Sequence, residues 1–222
     1  MKISNETLEV LKNFSQINTG LVVKTGSEIN TISPQKNILA RAKVAESFPT
    51  EFAIYDLTSL LGVLSMYKDS PEVNFGKESL TVSGYGGRSN IVYRYTEKSL
   101  ILTPPDKNLA LPSEDVSFTL SNDDLTHLKR AAAVLQSPEI KVDVENGKIF
   151  VSAIDMKNNA ANVMRLEIGE TDAAALSVIL KTENLKIMDS TYNVVICAKG
   201  ISKFESTDGK LTYWIATEAV NG

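Results

Sequence analysis

Residues 52–66 read FAIYDLTSLLGVLSM, and the order of residue types in this stretch sets the plan repeated along the whole chain. FAIYD is a short apolar run of strand character. Asp56 is placed to cap a helix, and Leu57, Leu60, Leu61 and Leu64 then fall on one helical face. Strand-like runs return in LTVSG (80–84) and NIVYRY (90–95), broken by Gly84, Gly86 and Gly87. Strand, cap, helix and further strands together make one unit.

The unit recurs on both sides of this stretch. Toward the amino terminus Ser4 caps a pattern in which Leu8, Leu11 and Phe14 recur at helical spacing until Gly20, and the strands LVVKTG and NILARAKV follow. Toward the carboxyl terminus VSFTL leads to Ser121, with Asp124 three residues on as a capping box, and then to Leu125, Leu128, Ala132 and Leu135 as a buried face. Asn146-Gly147 is a hairpin signal between IKVDV and KIFVSAI. The last copy runs ALSVIL, Thr182 as cap, a short helix carrying Leu185 and Met188, and the strands NVVICAK and LTYWIATEA around Asp208-Gly209. Caps at Ser4, Asp56, Ser121 and Thr182 recur at similar intervals, as duplicated half-domain modules would.

Between the second and third units TPPDKNLALPS (103–113) packs three prolines into eleven residues and carries no periodicity. The expected division is a domain over 1–107, a linker over 108–114 and a domain over 115–222. Each half combines antiparallel strands with two helices on one sheet face, which is an α+β fold class. A length of 222 residues with 43% hydrophobic content is enough to fill two such cores.

The formal net charge of -4 argues against a protein that grips nucleic acid by neutralising many phosphates, though not against one held on DNA by topology. Cys197, the single cysteine, excludes an internal disulfide framework, and with no charged leader before an apolar run an intracellular setting is expected. No apolar stretch approaches the roughly 20 residues of a membrane helix, so no membrane partner is expected. His127 is the only histidine, on a mainly solvated helix, which leaves little room for a Ser-His-Asp or Cys-His mechanism. Cys197 lies within an apolar strand without clustered Cys or His, which supports neither a metal site nor a thiol nucleophile. Neither Gly147-Lys148 nor Gly209-Lys210 is followed by Ser or Thr, so no nucleotide-binding loop is present. No catalytic residue, metal or cofactor is expected.

Four stretches carry a family resemblance: LKNFSQINTG (11–20), FAIYDLTSLLGVLSM (52–66), DDLTHLKRAAAVLQ (123–136), and AKG (198–200) followed by KFE (203–205). In their order and spacing the chain resembles the DNA polymerase sliding clamp, or processivity factor, of T-even-type bacteriophages. The resemblance implies the DNA-clamp fold in a ring-forming homotrimer, with sheets outside and helices lining the hole. It implies duplex DNA as a topological, sequence-independent partner, a tethered replicative DNA polymerase, and a clamp loader complex that uses ATP. Late-transcription factors with host RNA polymerase are a second implied client, no reaction is catalysed, and the setting is the cytoplasm of the infected bacterial host.

On helices lining such a hole, the face opposite each apolar stripe should carry Lys or Arg. Lys12 on the first helix, Lys68 at the end of the second, Lys129 and Arg130 on the third and Lys186 on the fourth are the candidate DNA-facing residues. Ordinary solvated faces are the competing reading. Glu6, Asp123, Asp124 and Glu183 sit in first helical turns, where the helix dipole favours acids. The resemblance also implies a partner-peptide pocket beside the linker, for which Leu109, Leu111 and Val220 are the candidates; the alternative is that the two leucines pin the linker to its own domains. By analogy with other clamps, NIVYRY and NVMRLEIG are the expected subunit edges, with internal pairing as the alternative. Two rival classes remain: a repeated-domain phage structural protein with no DNA-tethering role, and an enzyme using carboxylates, for which no motif pair stands out among 27 acids.

Overall fold

The computed structural model describes residues 1–67, 71–105 and 109–220. It divides into two compact units, Met1–Asp106 and Lys107–Gly222.

The first unit runs α1 (Asn5–Ile17), β1 (Leu21–Val23), β2 (Gly26–Ile32), β3 (Ile38–Phe48), β4 (Phe52–Ile54), α2 (Leu57–Ser65), β5 (Glu72–Phe75), β6 (Ser79–Gly84) and β7 (Ser89–Arg94). Its strands pair antiparallel in the orders β4-β1-β2-β3 and β5-β6-β7. Ser4 Oγ accepts the Thr7 N–H at 3.2 Å and begins α1. The Glu46 carboxylate, reaching across from β3, accepts the Ser4 N–H and the Thr7 hydroxyl. That pairing lets Thr7 be fully buried, and the inner stripe of α1 is Thr7, Val10, Leu11, Phe14 and Ile17, with Leu8 only half-buried. The stripe is rotated from the expected Leu8–Leu11–Phe14 line because Glu46 satisfies a polar group on the inner face.

Asp56 Oδ1 accepts the Ser59 N–H at 3.0 Å and caps α2, which buries Leu57, Leu60 and Leu64. These leucines, Leu11 of α1 and Val73, Phe75 and Leu80 converge on Phe48 and Phe52. Phe48, Phe52 and Phe75 meet with ring centroids 5.2–5.9 Å apart, so aromatic packing ties both strand sets to the two helices.

The second unit runs β8 (Val116–Leu120), α3 (Asn122–Leu135), β9 (Glu139–Glu145), β10 (Lys148–Ile154), β11 (Met164–Glu170), β12 (Leu176–Lys181), β13 (Tyr192–Cys197), β14 (Ile201–Ser206), β15 (Leu211–Ala216) and β16 (Glu218–Ala219). Its antiparallel orders are β15-β14-β13-β8 and β11-β10-β9-β12-β16. Ser121 Oγ accepts the Asp124 N–H at 3.1 Å, the expected cap, and donates to Asp124 Oδ2 at 2.6 Å, so the acid in the third position holds the capping hydroxyl. α3 buries Leu125, Leu128 and Ala132 against β10 and β11. Asn146 and Gly147 both take positive φ, 52° and 75°, as a two-residue hairpin between β9 and β10 requires.

The fourth helix is corrected. After β12 only Thr182–Asn184 turns, as a single 3-10 turn, and Thr182 Oγ1 donates to Ser137 O at 2.8 Å instead of capping a helix. The residues that follow bury Leu185 and Ile187, a period of two, while Met188 stays half-buried. Side chains replace the helical hydrogen bonds: Lys129 Nζ donates to Ile187 O at 2.6 Å, Tyr192 Oη donates to Met188 O at 2.7 Å, and the Met188 N–H donates to Tyr213 Oη at 3.4 Å. With its carbonyls already taken, the segment gains little by coiling. Among the described residues no helix is long and apolar enough to cross a membrane.

Candidate nucleic-acid interface and partner surfaces

The outward faces of the helices carry few cations. Lys12 on α1 is 66% exposed, with Nζ 3.7 Å from the Glu9 carboxylate one turn back. The outward residues of α2, Thr58, Ser59, Gly62 and Ser65, bear no charge. Lys68, expected at the end of this helix, lies outside the described residues. On α3 Arg130 is exposed, and His127 one turn earlier is exposed on the same face. Lys129 is only 28% exposed, because Nζ donates both to Ile187 O and, at 2.9 Å, to Asp189 Oδ1. Lys186, half-buried, adjoins that carbonyl. The second unit thus gathers Lys129 and the backbone beside Lys186 in one region, while Lys12 belongs to the first unit. Helical phase places Glu9 beside Lys12 on the outward face of α1, three residues earlier, whereas Asp189, the partner of Lys129, lies 60 residues along the chain and no local pattern reveals it.

The strands that end their sheets include β7 and β11. β7 pairs with β6 on one side, β11 pairs with β10 on one side, and each is the last strand of its own set. Val92 on β7 is 56% exposed and Val163, just before β11, is 58% exposed. Arg165 of β11 lies over the Phe150 ring at 3.8 Å and reaches Glu145 at 2.6 Å, while Glu167 pairs with Lys148 at 2.9 Å. Both edges therefore present ladder groups beside exposed apolar side chains, the arrangement that accepts another strand.

In the linker Leu109 is exposed and Leu111 half-buried. Val220, half-buried, continues β16, its N–H donating to Ser177 O at 3.2 Å. The stretch after the linker is anchored at Asp115, whose Oδ2 accepts the Ala198 N–H at 2.8 Å and the Ser113 hydroxyl at 2.7 Å; these bonds hold its carboxyl below the usual carboxylate range. Cys197 is fully buried in β13, its Sγ 3.1 Å from Ser113 Oγ. Among the described residues no three His, Cys, Asp or Glu side chains are grouped as metal ligands.

Both halves match family models. Residues 4–103 match "DNA polymerase processivity factor" and residues 117–219 match "gp45 sliding clamp, C terminal". The sliding clamp of Vibrio phage KVP40 is 35% identical over 226 aligned positions, covering 99% of this chain and 100% of the relative. That of Enterobacteria phage T4 is 28% identical, covering 99% and 97%. Among solved structures, PCNA from Thermococcus kodakaraensis superposes with a TM-score of 0.72 at 17% identity, covering 96% of each chain. At that identity the superposition shows a shared DNA-clamp fold, the one expected from the resemblance.

Proposed function

This chain belongs to the sliding-clamp family of T4-like phages, and from that premise we propose that three copies close into a ring around duplex DNA and tether the replicative polymerase to it. The observation that carries the reading is the full-length match, both halves included, on a two-unit fold whose end strands β7 and β11 each have a free side. Antiparallel pairing of β7 with β11 of the next copy joins the subunits. Retention by threading suits an acidic chain with sparse outward cations, because the duplex need not be gripped. Tethering raises the polymerase concentration at the primer end, so dissociation is followed by rebinding. The protein catalyses nothing. A separate ATP-dependent loader opens and places the ring, Lys12, Lys129, Arg130 and Lys186 face the duplex, and client peptides dock near Leu109, Leu111 and Val220. The phage late-transcription apparatus with host RNA polymerase is a second client, and the protein works in the cytoplasm of the infected bacterium.

The test combines light scattering with primer extension. A mass of three chains, and loader-dependent polymerase stimulation on a primed circle that is lost on linear templates with free ends, is the expected result. A stable monomer at micromolar concentration without stimulation overturns the reading and favours a structural phage protein.

A further inference from the structure

The helix faces hold each of two lysines against a carboxylate of the same chain. Lys12 Nζ lies 3.7 Å from Glu9, with side chains 66% and 62% exposed. Lys129 Nζ lies 2.9 Å from Asp189, whose side chain is 66% exposed. The two pairs arise differently, one from neighbouring turns of α1 and the other from α3 and the extended segment before β13. Both place an exposed acid beside a cation. Arg130 is exposed without such a neighbour among the described ion pairs.

We infer that Glu9 and Asp189 act as brakes on DNA contact: each masks a lysine that would otherwise engage phosphate, keeping the ring's hold on the duplex weak and its sliding free. This rests on the proposal that these helix faces turn toward DNA. An exposed ion pair is only marginally stable, so a phosphate can compete for the lysine but must displace the carboxylate to do so. The carboxylate also remains near the incoming phosphate and repels it. Counterion release strengthens binding with each phosphate neutralised, and a topologically held ring gains nothing from strong binding while losing mobility. Local acids lower the number of effective cations without removing the lysines, which stay available for brief contacts.

The experiment compares the wild type with Glu9→Gln/Asp189→Asn on a short linear duplex, where no ring can be retained by threading, across 50 to 200 mM salt. Each lysine of the ring that gains a phosphate contact steepens the slope of log affinity against log salt by about 0.9, so the variant's advantage shrinks about 3.5-fold across that range for every such contact, with up to two contacts per subunit. Loaded on long DNA, the variant also diffuses more slowly in single-molecule tracking. Lys12→Glu/Arg130→Glu serves as the reference for the DNA-facing assignment itself. If the amide variant leaves slope and diffusion unchanged while the charge-reversal variant shortens retention, the brake is overturned and the lining stands. If neither variant changes DNA behaviour in an assembly that still stimulates polymerase, the helix faces do not meet DNA, and the brake falls with that assignment. The Asp189→Asn change leaves the Lys129 bond to Ile187 O in place, so circular dichroism and light scattering verify an intact trimer for each variant.

Discussion

Gly84 lies against the ring of Tyr67 so closely that a Cβ at position 84 would fall 2.0 Å from Tyr67 Cδ1. Tyr67 is buried, its Oη is 3.0 Å from Ser89 Oγ, and its ring meets Tyr85 edge-on at 6.0 Å. One aromatic side chain at the end of α2 thus clamps both strands of the β6–β7 hairpin, which carries the proposed subunit edge. Gly84→Ala should therefore cost about 1–3 kcal/mol by overpacking and raise the concentration needed for trimer assembly. Urea unfolding and light scattering read the two effects. Gly62→Ala, on the outward face of α2 with open space around it, should instead gain up to about 1 kcal/mol from helix propensity. Equal effects at both glycines would remove the Tyr67 contact as the cause.

Much of the architecture was legible because local chemistry and tertiary packing agree. Ser4, Asp56 and Ser121 cap the helices their side chains foreshadow, and Asn146-Gly147 turns its hairpin. The fourth helix does not form because Lys129 and Tyr213, distant in sequence, and Tyr192, four residues on, occupy the backbone groups of residues 187–188. Thr182 looks like a cap in isolation; its hydroxyl is drawn instead to Ser137 O, a partner no local pattern reveals. The candidate DNA face was legible as cations opposite apolar stripes, but the pairing that subdues Lys129 depends on Asp189. Sequence phase places a side chain on a face, whereas its charge partner is set by how the chain returns.

Glu46 links β3 to the start of α1, and its titration should appear in acid stability. Burial pushes its carboxyl up, but hydrogen bonds from the Thr7 hydroxyl and the Ser4 N–H outweigh this and leave it below the ordinary value of 4.5. A depressed folded-state value means stability is present above the unfolded value and lost as pH falls through the folded one. Wild type should therefore lose urea resistance below pH 4.5 more steeply than Glu46→Gln, which has already lost the charged bond. Parallel curves for the two proteins would show that Glu46 contributes nothing to acid sensitivity.

Val92→Lys tests the ring interface. Val92 is exposed on β7, the end strand of its sheet, so a lysine there leaves the fold intact but places charge and a solvated side chain beside the edge where the next copy would pair. A loss of about 0.5–1 kcal/mol at each contact is repeated at every interface of a closed ring. Light scattering should show a shift toward monomer with an unchanged circular dichroism spectrum. A full trimer at the same dilution would place the subunit contact elsewhere.

Charge reversal at Lys12 and Arg130 separates DNA retention from assembly. Both side chains are exposed on helix faces and neither supports a core contact, so Lys12→Glu/Arg130→Glu should remain folded and trimeric. Loader-dependent retention on circular nicked DNA should fall, with the largest difference at low salt where unscreened repulsion is strongest. Retention identical to wild type across a salt series would take both residues out of the lining.

Leu109 and Leu111 distinguish client docking from linker anchoring. Leu109 is exposed and Leu111 half-buried, in a segment fixed just downstream by the bonds of Asp115 to Ala198 and Ser113. An aspartate at either position places a charge where a client's apolar anchor would sit, and truncating such an anchor contact typically costs 2 kcal/mol or more, about 30-fold in affinity. Leu109→Asp or Leu111→Asp should therefore weaken polymerase binding in calorimetry while retention on circular DNA changes little, since threading does not use the linker surface. If the leucines only pin the linker, the order reverses: unfolding shifts to lower urea and retention declines with stability while polymerase affinity per folded ring is preserved. Measuring both quantities on the same preparation decides between them, because a docking defect leaves the urea midpoint where it was.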